Sequence, residues 1–172
     1  MTVSAPAFET RIPEGDDKPR LVCGTCGFIN YVNPKIVAGV VVTASDGRLL
    51  LCRRAIQPRH GFWTVPAGFM EEGETISAGA AREAWEEAEA RVRIDALLGI
   101  YEVPRISQVH MMYRATLVDD AFGCGPESLE AALFAWEDIP WNQIAFPTGV
   151  QALRDWHATR DQTAFVPHTA VF

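Results

Sequence analysis

The stretch Gly68–Ala90, GFMEEGETISAGAAREAWEEAEA, decides how the rest of the chain is read. At about 100° per residue, Ile76, Ala80, Ala84 and Ala88 form one apolar stripe, which Ala81 and Trp85 widen. The same helix carries Glu83, Glu86 and Glu87. Like charges three or four residues apart repel by roughly 0.2–0.5 kcal/mol per pair. A Glu-rich helix usually means a solvated acidic face, but such a face lies opposite the apolar stripe. Here Glu83 and Glu87 fall at its edge and Glu86 somewhat further round, while Arg82 and Glu89 lie on the outer side. Carboxylates at the border of a core lose hydration as well as repelling one another. A divalent cation offsets both costs, and carboxylate oxygens are the ligands that Mg²⁺ and Mn²⁺ favour.

Outward from this stretch, KIVAGVVVTASDGRLLLCRRA reads as two strands around the turn Asp46-Gly47. Val40–Val42 and Leu49–Leu51 are continuous apolar runs, the pattern of strands buried on both faces. IQPRHGFW is a loop, TVPAGF a short extended segment and MEEGE a turn, and the helix runs from about Thr75 through at least Ala88. RVRIDALLGIYEV, VHMMYRATLV and SLEAALFAW supply further strands, with DDAFGCGPE as a loop between the last two. FPTGVQALRDWHATR is a second helix with Pro147 near its first turn. Strands before and after a central helix, with another helix near the end, predict a mixed sheet between helices, an α/β (α+β) fold.

The acidic stretch resembles the Nudix box, Gly-x5-Glu-x7-Arg-Glu-U-x-Glu-Glu-x-Gly-U, where U is aliphatic: Gly68, Glu74, Arg82, Glu83, Glu86 and Glu87 stand at the matching positions. Ala84 is smaller than the motif's aliphatic residue, Glu89 replaces its glycine and Ala90 its last aliphatic position. Glycine at a helix end supplies a left-handed residue. Glu89 is strained in that conformation, so the helix is expected to run on through AEAR instead.

The resemblance implies a Nudix-type α/β/α sandwich and a metal-dependent nucleotide diphosphatase. Glu83, Glu86 and Glu87 would bind Mg²⁺ or Mn²⁺, and Glu86 or Glu87 would also activate the attacking water. Gly68, Glu74 and Arg82 would be structural, the last two bracing the loop against the helix. Glu127 and Glu130, in GPESLE, are candidates for a further metal ligand or for surface residues. Arg53 and Arg54, ending a strand, are candidates for meeting phosphates, although paired arginines at a strand end are often simply solvated.

The likeness runs across most of residues 20–147, towards a branch that includes FAD and ADP-ribose pyrophosphatases. It implies cleavage of FAD or ADP-ribose to AMP plus FMN or ribose 5-phosphate. The alternatives are an NADH or other nucleotide pyrophosphatase and a non-catalytic nucleotide sensor. Such a sensor would be expected to lose a catalytic carboxylate, and all of them are present here. A homodimer is expected on the same analogy.

That branch often carries an N-terminal zinc ribbon with two Cys-x-x-Cys knuckles. Of the four cysteines, only Cys23 and Cys26 stand at that spacing, and no Cys or His precedes them. A structural zinc site wants four protein ligands, so the expectation is a degenerate half-ribbon without zinc, with zinc shared across a dimer as the alternative. The expected division is therefore an arm at residues 1–34, a Nudix domain at 35–160 and a C-terminal tail at 161–172.

Composition bounds the rest. The chain has 172 residues, 48% hydrophobic, and a formal net charge of −7. That balance argues against nonspecific nucleic-acid binding but not against an anionic substrate, because a metal ion inverts the local charge. No apolar run is long enough to cross a bilayer, and the first residues lack the basic-then-apolar pattern of a secretory signal. A cytoplasmic location with a small nucleotide as partner is the expectation. The tryptophans Trp63, Trp85, Trp136, Trp141 and Trp156 read as core or rim, while Phe8, Phe28 or Tyr31 are candidates for covering a substrate ring.

Overall fold

The computed structural model describes residues 7–172, and its contacts divide the chain into two units at Pro34/Lys35. In the first unit, β1 (Phe8–Arg11), β2 (Arg20–Cys23) and β3 (Ile29–Asn30) form an antiparallel sheet in that order. Regular strands here are more than the sequence promised, since residues 1–20 are polar and rich in Pro, Gly and charge. The ladder supplies what the side chains do not: Phe8 opposes Cys23, and Arg11 opposes Arg20.

The second unit is built on one mixed sheet. β4 (Lys35–Thr43), β5 (Leu49–Arg54), β8 (Val92–Val103), β9 (Gln108–Leu117), β10 (Ser128–Phe134) and β11 (His168–Val171) lie in the order β10-β5-β4-β9-β8-β11. Two short strands flank this path: β6 (Trp63–Thr64) pairs with β5, and β7 (Ala67–Phe69) pairs with β4. β4 runs parallel to β9 and β11 parallel to β8; the other pairs are antiparallel. Residues 161–172, expected as a tail, thus end in a strand of the main sheet.

The continuous apolar runs are buried on both faces, and alternation sorts them. Ala38, Val40, Val42, Leu50 and Cys52 pack on α1 (Ile76–Ala88) through Ala80, Ala84 and Ala88. Val41, Leu49 and Leu51 point the other way, towards Ala152, Leu153 and Trp156 of α2 (Pro147–Thr159). Successive strand residues face opposite sides, so one hydrophobic run serves two helices, and the unit is an α/β/α sandwich. Trp63 and Trp156 are core residues, but Trp85, read as part of the helix stripe, is 53% exposed. No helix among the described residues is long and apolar enough to cross a membrane.

The start of α1 follows from local chemistry. Thr75 caps it, its hydroxyl accepting from Ala78 N–H at 3.2 Å. The end of α1 corrects the sequence reading. Glu89 does adopt the left-handed conformation, φ 48° and ψ 27°, and the helix stops at Ala88. Its N–H donates to Trp85 O at 2.8 Å, and Ala90 N–H reaches Ala84 O at 3.2 Å, the wrapped pattern in which helices commonly end. Tertiary contact overrides propensity here: Gly123 N–H donates to Ala88 O at 2.7 Å and Gly125 N–H to Glu87 O at 3.1 Å. The 119–127 loop therefore occupies the space into which another helical turn would grow.

A left-handed non-glycine residue costs about 1–2 kcal/mol, and a carboxylate at a helix C-terminus adds an unfavourable dipole interaction. Glycine gives back roughly 0.5–1 kcal/mol in chain entropy. Glu89→Gly is therefore expected to stabilise the protein by up to about 1 kcal/mol, read from the urea midpoint; a lower midpoint would show that the Glu89 side chain contributes more than its backbone costs.

Candidate active site

The site forms where α1 crosses β7. Glu83 and Glu87 face the sheet and are only 8% and 5% exposed, while Glu86, one position round the helix, lies in solvent. Gly68 explains how Glu83 fits. A Cβ at Gly68 would collide with the Glu83 carboxylate, so only glycine leaves that carboxylate its space above the strand.

Arg82 organises the cluster. Its guanidinium contacts Glu74 at 2.9 Å, Glu83 at 2.8 Å and Glu86 at 2.8 Å, and donates to the Phe69 carbonyl at 3.1 Å. Glu74 in turn accepts from Glu71 N–H at 2.7 Å. Hydrogen bonds from Arg82 and from that amide hold the Glu74 carboxyl below its ordinary pKa. The Glu74–Arg82 pair thereby links the 71–74 turn to the helix. The Arg82 guanidinium is held above its own usual range chiefly by Glu74.

Glu87 lacks such a partner. Its Oε2 is buried without a hydrogen bond. Burial, then the charge of Glu83, push its pKa up to about 8, with Glu127 adding to the rise, against the opposing Arg54 charge and the Ala67 amide. Burial raises Glu83 as well, although the Arg82 hydrogen bond works against it. Among the described residues no three His, Cys, Asp or Glu side chains surround one point, and Arg82 spans two of the carboxylates instead. The donor set nonetheless suits a hard divalent cation. It offers carboxylate oxygens only, one of them buried and unpartnered, and a cation would relieve the desolvation that raises Glu83 and Glu87.

The remaining candidates separate. Glu127, in the loop fixed to the end of α1, is near enough to raise both Glu83 and Glu87. Glu130 instead sits opposite Arg53 in the β10–β5 ladder, 3.7 Å from its guanidinium. Arg53 also donates to Gly61 O at 3.0 Å, so the two candidates engage each other. Arg54 is the arginine whose charge reaches Glu87; its Nε donates to Pro58 O at 2.9 Å and its guanidinium lies over the Phe146 ring at 5.1 Å. Three contributors were not read from the sequence: the Ala67 amide, the Phe69 carbonyl and the Gly123–Gly125 cap. All three are backbone groups, the first two without any sequence signature, but the glycines flanking Cys124 were a visible hint of close backbone approach. A Cβ at Gly125 would overlap the Glu86 carbonyl.

In the first unit, Cys23 is buried and Cys26 exposed, both as free thiols. The facing strand β1 presents Phe8, Glu9, Thr10 and Arg11, with no thiol or imidazole. Two ligands do not make a structural zinc site within one chain.

The elevated pKa of Glu87 has a measurable consequence for the metal-free protein. Its folded value, about 8, lies above the ordinary 4.5. The folded state thus holds a proton that the unfolded chain has released, and stability falls as pH rises through that window. In EDTA, the urea midpoint should decline between roughly pH 5 and 8, and Glu87→Gln should flatten the decline. An equal slope in the variant would assign it to another group.

Comparison with known proteins agrees with this geometry. A family model described as NUDIX domain matches residues 33–157, and one described as Nudix N-terminal, a zinc-ribbon model, matches residues 5–32. The crystal structure of a NUDIX hydrolase from Nitrosomonas europaea is 44% identical, covers 100% of this chain and 97% of that one, and superposes with a TM-score of 0.91. A MutT-like protein from Streptomyces ambofaciens is 46% identical over 78 residues, 45% of this chain and 48% of that protein, so the match spans about half of its length. An ADP-ribose pyrophosphatase from Methanocaldococcus jannaschii is 29% identical over 120 residues, 67% of this chain and 69% of its own. The match through the carboxylate helix and the sheet that buries it means that the chain belongs to the Nudix family of hydrolases.

Proposed function

We propose that this protein hydrolyses the pyrophosphate bond of ADP-ribose, releasing AMP and ribose 5-phosphate. The observation that carries this reading is the buried, unpartnered oxygen of Glu87 beside Glu83, at the end of a helix whose other carboxylates are tied by Arg82. The similarity to an ADP-ribose pyrophosphatase favours that substrate. FAD and NADH share its AMP–pyrophosphate half and complete the substrate panel.

Nudix hydrolases generally use divalent metal ions. Glu83, Glu86 and Glu87 are the residues that would hold Mg²⁺ or Mn²⁺ here, and Glu127 is the favoured additional ligand, ahead of Glu130. A bound cation lowers the pKa of water and neutralises charge on the phosphoryl oxygens. The chain's own groups supply the rest. Of the two candidate bases, Glu87 has the free oxygen, whereas Glu86 Oε2 lies 2.8 Å from Arg82. Glu87 is accordingly assigned to take the proton of the attacking water. Arg54, whose charge reaches Glu87, is assigned to the substrate phosphates. Arg82 and Glu74 hold the loop and helix in register and touch no reacting atom.

AMP release from ADP-ribose should require Mg²⁺ or Mn²⁺ and stop in EDTA. Glu87→Gln should lower kcat by at least about 100-fold while circular dichroism shows an intact fold. An unchanged rate in the variant would remove Glu87 from the chemistry. No metal-dependent release from ADP-ribose, FAD or NADH would overturn the substrate class and favour a binding protein.

A further inference from the structure

The zinc-ribbon match over residues 5–32 and the residues present there disagree. Among the described residues of that segment, β1, β2 and β3 are paired, with a tight turn between β2 and β3. The turn spans Gly24–Cys26 and is closed by Gly27 N–H to Cys23 O at 2.9 Å, while Cys23 N–H donates to Phe28 O at 2.8 Å. Gly27 has φ 76°, the left-handed value that lets the chain leave the turn. One Cys-x-x-Cys pair is kept on its closed turn, and the second ligand pair is missing. A thiol pair held on a shaped turn without enough partners for a metal has another chemistry open to it.

We propose that Cys23 and Cys26 form a reversible intramolecular disulfide, which gives the turn the cross-link that a metal gives a complete ribbon. The two thiols stand at the two ends of one turn, Cys23 closing β2 and Cys26 ending the turn that the Gly27 N–H to Cys23 O bond closes. The neighbouring backbone amides of Cys26 and Thr25, with the Cys26 side chain, hold the Cys23 thiol below its ordinary pKa, which favours the thiolate that closes the bond. Access is divided between the two: Cys26 is exposed and Cys23 buried.

The exchange balances with a low-molecular-weight disulfide, RSSR, as oxidant. The Cys26 thiolate attacks one sulfur of RSSR, the S–S bond breaks and RS⁻ leaves. The Cys23 thiolate then attacks Cys26 Sγ within the turn and expels the second RS⁻. The protein loses two electrons and two protons, and RSSR becomes two RSH. The other cysteines are built differently. Cys52 is buried, and desolvation pushes its thiol far up. The Cys124 sulfur is engaged with Ser128 O at 2.8 Å.

The test uses the full chain, reduced and metal-free, then exposed to glutathione disulfide. Cys23 and Cys26 fall in one tryptic peptide, Leu21–Lys35. That peptide should lose about 2 Da and resist alkylation, should regain both thiols in dithiothreitol, and should not close in Cys26→Ser. Retention of two alkylatable thiols after hours in millimolar glutathione disulfide would overturn the proposal. So would a stable glutathione adduct on Cys26, or a bond formed at Cys52 and Cys124 instead. Zinc measured on protein purified under reducing conditions gives an independent reading: no stoichiometric zinc is expected. One zinc per chain, or one per two chains lost on Cys23→Ser, would assign the pair to a metal and overturn the dithiol.

Discussion

Arg82 is the contact on which the site depends. One guanidinium joins Glu74, Glu83, Glu86 and the Phe69 carbonyl. Through those bonds a turn, a short strand and a helix keep one relative position, and three carboxylates that would repel one another share a cation. Glu87 is outside this arrangement. Its carboxyl, sunk beside Glu83 with one oxygen unpartnered, is the group whose ionisation the fold leaves uncompensated, and a divalent ion is the kind of partner that would compensate it.

The burial of Glu87 has its own cause in packing. Ala80, Ala84 and Ala88 are the α1 residues that meet the sheet, and all three are fully buried. Side chains this small let the helix lie close to β4, which carries carboxylates at the edge of the stripe below the solvent boundary. Larger residues there would lift the helix and return Glu83 and Glu87 towards water, where their pKa values would fall. The smaller Ala84 in place of the motif's aliphatic residue thus fits a deeply set carboxylate pair. The far end of the helix is held by the Gly123–Gly125 segment, which also carries Glu127 towards the pair.

The doubly buried apolar strands, the Asp46-Gly47 hairpin and the two helices were legible because each rests on a local hydrophobic pattern or turn chemistry. Arg82, Glu83, Glu86 and Glu87 share one helix, whereas Gly68 and Glu74 precede it and stood out only through the resemblance to the Nudix box. The strands of the first unit were not, since β1 and β2 are held by ladder pairing between residues with little hydrophobic pattern. β11 was missed for a related reason: four residues joining an existing sheet edge in parallel carry almost no signal of their own. Glu89 shows the limit most directly. Propensity predicted continuation, and a distant loop bonding to the last carbonyls decided otherwise.

By itself, the sequence determined the fold class and the acidic helix, with Glu83 and Glu87 at the edge of its apolar stripe, because helical periodicity places side chains without reference to anything distant. Only the tertiary structure decided how deeply Glu83 and Glu87 sink, that Arg82 ties Glu86 while Glu87 stays free, that Glu127 rather than Glu130 approaches the pair, and that Arg54 rather than Arg53 does so. These outcomes depend on strand register and on loops that return from far along the chain. Neither residue identity nor local spacing encodes the depth at which a side chain finally rests.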